Sequence, residues 1–154
     1  MADYYADSSV LVKRHVHEPG SDWFRALVDP AAGNVIITSR ISLIEVYSAF
    51  NRRLREASLN PADYAQLAAD FAAICAADYQ IIELTEQVAE RARLLLERHP
   101  LRAYDAVQLA SAQLSSETLL SARLPALIFL AADDRLLSAA QTEGLAVDSP
   151  NSHP

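Results

Sequence analysis

Cysteine is almost missing from this chain. Cys75 stands alone, so no internal disulfide and no cysteine metal cluster can form. Its neighbours are alanine and isoleucine, and it reads as a core thiol. Histidine is scarce too. None of His15, His17, His99 and His153 has an H-x-x-x-H or H-x-x-E-H spacing, and His15 and His17 read as surface residues. Glycine numbers only 3 while alanine and leucine abound, so helix should dominate. No apolar run reaches the length of about 18 residues that a membrane span needs. The richest stretch, 119–132, is broken by Arg123 and Pro125. The start, Met-Ala-Asp-Tyr-Tyr-Ala-Asp, lacks the basic opening and apolar run of a signal peptide. These absences suit a cytoplasmic protein. Positive charge is also short: 20 acids face 13 bases, for a net charge of −7. The overall basic footprint of a nucleic-acid binder is therefore absent. The arginines are bunched at Arg52, Arg53 and Arg55 and at Arg91, Arg93 and Arg98. Each bunch taken alone reads as a solvated helix face. Some of the acid excess would suit a metal site, where a bound cation inverts the local field.

What is present is enough for one core. A chain of 154 residues that is 51% hydrophobic implies a single domain, here taken as 1–148 with a frayed tail at 149–154. Tyr4-Tyr5-Ala6 is a short β-prone run, followed by Asp7 and a helical segment from Val10 to Val16. Ser21-Asp22 can cap a second helix, and Val35-Ile36-Ile37 reads as a buried strand. Thr38-Ser39 leads into a helix from Ile41 to about Ala57, with Leu43, Ile44, Tyr47, Phe50 and Leu54 facing inward. Asn60-Pro61 starts a helix over 62–77, whose stripe is Tyr64, Leu67, Ala68, Phe71 and Cys75. A strand over 80–84, a helix from Thr85 to about His99, a strand over 127–130, a helix to Ala140 and a strand over 145–147 complete the alternation. Strands alternating with helices imply an α/β fold of three α/β/α layers, with a mostly parallel sheet of about five strands. In such folds ligands bind beyond the carboxyl ends of the strands.

The stretch Leu101-Arg-Ala-Tyr-Asp-Ala-Val-Gln-Leu-Ala-Ser-Ala112 organises the rest. Ala103, Ala106, Val107, Ala110 and Leu114 make one helical stripe, and Leu109 and Ala112 cover the other side, so the helix should be buried. Asp105 nevertheless sits in its first turn. An ionised Asp is rarely buried unless it is paired or binds a metal. Arg102 offers an ordinary ion pair; a pocket shared with other groups is the alternative. Three further acids stand where the topology can bring them to the same sheet edge. Asp7 follows the first strand, where it could equally be an N-cap. Glu45 falls mid-helix if that helix starts at Thr38 or Ser39, half-buried with no evident partner; Ser42-Leu-Ile-Glu45 also matches a capping box. Asp133 follows the fourth strand, and Asp134 could take over its capping role. Crowded carboxylates repel, and some protonate unless a cation joins them. Mg²⁺ and Mn²⁺ favour such oxygen ligands, and an all-carboxylate site suits metal-assisted phosphodiester cleavage.

The segments Asp7-Ser-Ser-Val-Leu-Val-Lys-Arg, Ser42-Leu-Ile-Glu45-Val, Leu101-Arg-Ala-Tyr-Asp105-Ala-Val-Gln-Leu-Ala and Leu130-Ala-Ala-Asp133-Asp-Arg-Leu resemble, in this order, the motifs of the PIN domain family. The likeness is strongest to the VapC-type toxins of bacterial toxin–antitoxin pairs and covers nearly the whole chain. It implies a compact α/β/α fold and a ribonuclease dependent on Mg²⁺ or Mn²⁺. Asp7 and Asp105 match the acids that hold metal most directly. Glu45 and Asp133 match the acids that complete the cluster or act through metal-bound water. Ser8 matches a small polar position that would orient the first Asp. The family also implies homodimers, an RNA substrate, and inhibition by a VapB-type antitoxin whose C-terminal segment wraps the toxin. One departure is visible: Ala131 stands where the family often has Ser or Thr, two residues before the fourth acid. With an acidic net charge, RNA binding must rest on local patches, on metal or on a groove between protomers. The stripe over 62–77 is the expected dimer contact.

Two other readings compete. A PIN-fold scaffold without catalysis would tolerate Ala131, but retention of all four acids argues against it. An Asp-nucleophile phosphatase usually wants a second Asp two residues after the first, and Ser9 stands there.

Overall fold

The computed structural model describes residues 1–154. Five strands form one sheet: β1 (Asp3–Ala6), β2 (Val35–Ser39), β3 (Tyr79–Ile82), β4 (Ile128–Leu130) and β5 (Ala146–Asp148). Their spatial order is β3-β2-β1-β4-β5. Every pairing is parallel, so the expected mostly parallel sheet is entirely so. Seven helices connect and flank it: α1 (Ser8–Leu11), α2 (Ser21–Leu27), α3 (Arg40–Arg55), α4 (Pro61–Asp78), α5 (Glu86–Arg98), α6 (Ala103–Ser121) and α7 (Asp134–Thr142).

Side chains alternate across a strand, and here the alternation sorts the core into two layers. Tyr5, Ile37 and Phe129 point to one face, where they pack with α5, α6 and α7 through Leu95, Leu109 and Leu136. Tyr5 and Phe129 stack with ring centroids 5.5 Å apart. Ala6, Ile36 and Leu130 point to the other face, against α1 to α4 through Val10, Phe24, Phe50 and Phe71. Tyr47, Phe50 and Phe71 meet edge to face there, each such pair adding about 0.5–1.5 kcal/mol beyond area burial. Cys75 is buried in this layer as expected.

Local signals place the helix starts well. Ser39 caps α3 by accepting from the Ile41 N–H at 3.2 Å. Asn60 caps α4 at 2.8 Å with Pro61 in the first helical position. Thr85 caps α5 at 3.2 Å. The α3 start at Arg40 leaves Glu45 mid-helix, so the capping-box alternative does not apply.

Four expectations are corrected. The segment after Asp7 is a single α turn followed by a 3-10 turn over Val12–Arg14, not one helix to Val16. In α3, Leu43, Tyr47 and Phe50 pack inward as expected and Ser42 and Val46 are buried beside them, but Ile44 is 64% exposed. His15 is not a surface residue: its ring meets Phe50 and Phe71 edge to face. The tail is not frayed. Pro150–Ser152 forms a 3-10 turn, and the His153 ring stacks on Trp23 at 4.3 Å. Gly20, at φ +82°, makes this docking possible; a Cβ there would sit 2.2 Å from the Pro150 carbonyl oxygen. The stripe of α4 packs inward through Phe71 and Cys75. The large apolar side chains left in water lie elsewhere, among them Leu84, Leu96, Leu120 and Leu124.

Candidate active site

The strand order reverses direction between β1 and β4, which are hydrogen-bonded neighbours. A crevice opens beyond the carboxyl ends of the strands at such a point. Asp7 follows β1 immediately, and its N–H donates to the Leu130 carbonyl of β4 at 3.2 Å. Asp133 comes just after β4. Glu45 on α3 and Asp105 in the first turn of α6 approach the same opening.

Two clefts meet there. One, of about 440 Å³, is lined by Glu45, Asp105 and Asp133 together with Arg102, Arg135 and Tyr104. The other, of about 570 Å³, shares Glu45 and Tyr104 and runs past Ser8, Ser9, Ile44 and Arg52. A third cleft, apolar and along β3, holds none of the four acids.

Asp7 lies beneath this surface, only 5% exposed. It is both the N-cap of α1 and a member of the acid group. Its Oδ1 accepts from Val10 N–H at 3.2 Å and from the Ser9 hydroxyl at 2.5 Å. Both bonds fall on Oδ1. Burial pushes its pKa up to about 7 against the pull of those hydrogen bonds, and the charges of Glu45 and Asp105 raise it further. Ser9 also accepts from the Ala132 N–H at 2.9 Å, so one hydroxyl ties the first acid to the loop after β4. The hydroxyl that touches Asp7 is therefore that of Ser9, not Ser8; Ser8 acts on Glu45 instead. The loop also holds without a hydroxyl at Ala131, which is fully buried in the core.

Glu45 is half-buried, and it does have a partner. Gln108 Nε2 donates to its Oε1 at 2.8 Å. Burial raises the Glu45 pKa, as does the charge of Asp105; Gln108 and Ser8 oppose this. Gln108 is 1% exposed, and its Oε1 accepts from the Tyr5 hydroxyl at 2.6 Å and the Ser42 hydroxyl at 3.0 Å. Ser42 is in turn 2.8 Å from Thr38, which donates to the Ala6 carbonyl at 2.7 Å. A buried polar network under the acids thus runs from β1 through α3 and α6. Sequence reasoning gave Gln108 no role. The available signal was an amide three residues after Asp105, set among Ala106, Val107, Leu109 and Ala110.

Asp105 has no ion-pair partner; Arg102 influences it without pairing. Burial raises its pKa, the charge of Asp133 adds to the rise, and Arg102 and Arg135 oppose it. Between Asp133 and Asp134 the geometry chooses Asp133. It lines the cleft and caps α7, accepting from Arg135 N–H at 2.8 Å and Leu136 N–H at 3.4 Å.

The sequence of residues 4–140 matches the model of the PIN domain. This chain belongs to the PIN domain family. It is 33% identical over 143 residues, 93% of this chain and 92% of the relative, to a protein of Mycobacterium tuberculosis named Ribonuclease VapC45. Among solved structures it is similar to M. tuberculosis VapC20, described as a sarcin-ricin loop cleaving toxin, with TM-score 0.63, 18% identity, and coverage of 98% of this chain and 99% of that one. It is also similar to a toxin–antitoxin complex from Klebsiella pneumoniae, with TM-score 0.58, 20% identity, and coverage of 96% and 97%. At these identities the two structures show the shared fold. No helix is long and apolar enough to cross a membrane.

No three of the His, Cys, Asp or Glu side chains gather into a finished metal cage. The donor set nevertheless fits a hard divalent cation. It is all carboxylate, its members raise one another's pKa values, and the buried Asp7 has no basic partner. A cation between Asp7 and Asp105 would remove that repulsion.

Proposed function

We propose that this chain is an endoribonuclease that hydrolyses RNA phosphodiester bonds with Mg²⁺ or Mn²⁺, and that it is the toxin of a type II toxin–antitoxin pair. The observation that carries the reading is Asp7. A carboxyl sunk beneath the switch point of the sheet, pushed up to about 7 and flanked by two more acids, is costly unless a cation is its working partner. Asp7 and Asp105 would hold the ion, with Glu45 and Asp133 completing the set. A bound divalent cation supplies the charge that lowers the pKa of a water and stabilises the leaving oxygen. Gln108 holds Glu45 in place, and Ser9 holds Asp7. Glu45 faces the cleft, where it can accept a proton from an attacking water.

The relative named Ribonuclease VapC45 and the VapC20 toxin support the activity; the Klebsiella complex supports a toxin's partnership with an antitoxin. A VapB-type antitoxin that extends a basic side chain to these acids would meet favourable electrostatics. Homodimerisation and a cytoplasmic location belong to the same proposal. The scaffold alternative would still tolerate Ala131; in its place Ser9 links Asp7 to the loop at Ala132.

The test is RNA cleavage by purified, antitoxin-free protein with Mg²⁺ or Mn²⁺, beside EDTA and an Asp105→Asn variant. Metal-dependent cutting lost in the variant supports the reading. Cutting that persists in EDTA, or equally in Asp105→Asn, overturns it.

A further inference from the structure

The tail after β5, residues 149–154, is tied into the fold far more closely than a chain end requires. Pro150 is buried, with its carbonyl against Gly20 at the start of α2. The His153 ring lies flat on Trp23 of α2, with centroids 4.3 Å apart and planes 3° apart. Its Nε2 stands 3.0 and 3.1 Å from the two carboxylate oxygens of Asp148, the last residue of β5. Asp148 also accepts from the Ser149 N–H at 2.7 Å, which fixes the turn out of the strand. Asn151 N–H donates to the Ser149 hydroxyl at 3.3 Å. Set in this way, Asn151 reaches another element: its Nδ2 donates to the Ala132 carbonyl at 3.4 Å. Ala132 immediately precedes Asp133, and its N–H is already held by the Ser9 hydroxyl at 2.9 Å. Both backbone polar groups of this one residue are thus bound by side chains from elsewhere, 123 and 19 residues away. Asp133 commits its Oδ1 to capping α7, so where its other oxygen points depends on the path of the backbone just before it. A loop outside any helix or strand ladder keeps its path only through such contacts.

We propose that the C-terminal tail is a strap that positions Asp133: His153 latches it to Trp23 and Asp148, and Asn151 holds the backbone just before the acid. The inference rests on the ribonuclease reading and adds Asn151 and His153 to it as positioning residues. The stack and the carboxylate contact anchor the tail, and the Asn151 amide carries that anchorage to the loop. The Asn151 bond is a long one, so its loss moves the local opening of the loop and not the stability of the whole fold.

The experiment compares the full chain with Asn151→Ala, His153→Ala and His153→Phe in three readings. Trp23 is the only tryptophan, so its fluorescence reads the latch. Hydrogen exchange of the Ala132 amide reads the loop without any RNA, and the rate of metal-dependent RNA cleavage reads the acid. His153→Ala should uncover Trp23 and shift its emission to longer wavelength, whereas His153→Phe keeps the stack and the parent emission. Asn151→Ala should keep the parent emission and melting temperature, yet speed Ala132 exchange about five-fold and lower kcat by about the same factor at unchanged KM for RNA. His153→Ala should reproduce both effects, and His153→Phe should return both to the parent level. Ala132 exchange that is equal in Asn151→Ala and the parent overturns the strap and leaves the ribonuclease reading standing. Faster exchange with kcat unchanged overturns the positioning role and leaves that reading standing too. A parent that cuts no RNA with Mg²⁺ or Mn²⁺ overturns the reading and the inference together.

Discussion

Glu143 and Asp7 are both largely withdrawn from water, and the fold treats them in opposite ways. Glu143 receives Arg98 at 2.9 and 3.0 Å, His99 at 2.6 Å and Gln113 at 3.1 Å. Burial alone would raise its pKa, but the hydrogen bonds from His99 and Arg98 outweigh that and hold it below the usual carboxylate range. Asp7 receives one hydroxyl and one N–H, no cation, and two acidic neighbours, and its pKa is pushed up to about 7. A satisfied carboxylate is a structural joint, here between α5, α6 and the end of α7. An unsatisfied one keeps a debt that a ligand can settle. On the proposed reading, the contrast separates the acids that hold the molecule together from those that would take a cation.

The largest effect that would break this contrast is on activity. Asp105→Asn should reduce Mg²⁺-dependent RNA cleavage about a thousand-fold, the loss of several kcal/mol of charge stabilisation, with circular dichroism unchanged. Glu143→Gln should cut RNA at the parent rate. Equal losses in the two variants would show that the distinction is false.

Stability should move the other way. In EDTA at pH 8, Asp7→Asn should be more stable than the parent by roughly 2–4 kcal/mol in denaturant titration, because a buried carboxylate is no longer forced to ionise. Gln108→Leu leaves the Tyr5 and Ser42 hydroxyls and Glu45 without their partner and should cost about 2–3 kcal/mol. Glu143→Gln should cost about 1–2 kcal/mol, since its amide keeps some of the hydrogen bonds.

The pH dependence sharpens the contrast further. The folded pKa of Asp7 lies above its unfolded value, so its contribution to the stability of the metal-free protein is present below about 4 and is lost as pH rises through about 7. Glu143, held low, contributes stability above its unfolded pKa that is lost as pH falls. Metal affinity measured by calorimetry should rise with pH through about 7, because binding expels the Asp7 proton. His15 gives the smallest effect. Burial among Phe50 and Phe71 lowers its pKa to about 4, so stability falls as pH drops from about 6.5 toward 4. His15→Phe should flatten that slope by on the order of 1 kcal/mol in acid melts.

Features that depend on near neighbours were legible along the chain. The strand–helix alternation, the caps at Asn60 and Thr85, the buried stripe of α6 and the placement of Asp7, Asp105 and Asp133 at strand ends or helix starts all follow from periods and caps that span a few residues. Both readings of Asp7 hold at once, because a residue that ends a strand and caps a helix is at the crevice by construction. Tertiary structure alone decided the rest. Gln108 meets Glu45 from 63 residues away, and Ser9 meets Ala132 from 123. The choice of Asp133 over Asp134, the aromatic burial of His15, the exposure of Ile44 and Tyr104, and the docking of the tail on Trp23 likewise depend on which distant surfaces meet. Local patterning says which face of an element is apolar; only the packed chain says which polar groups are left facing one another beneath it.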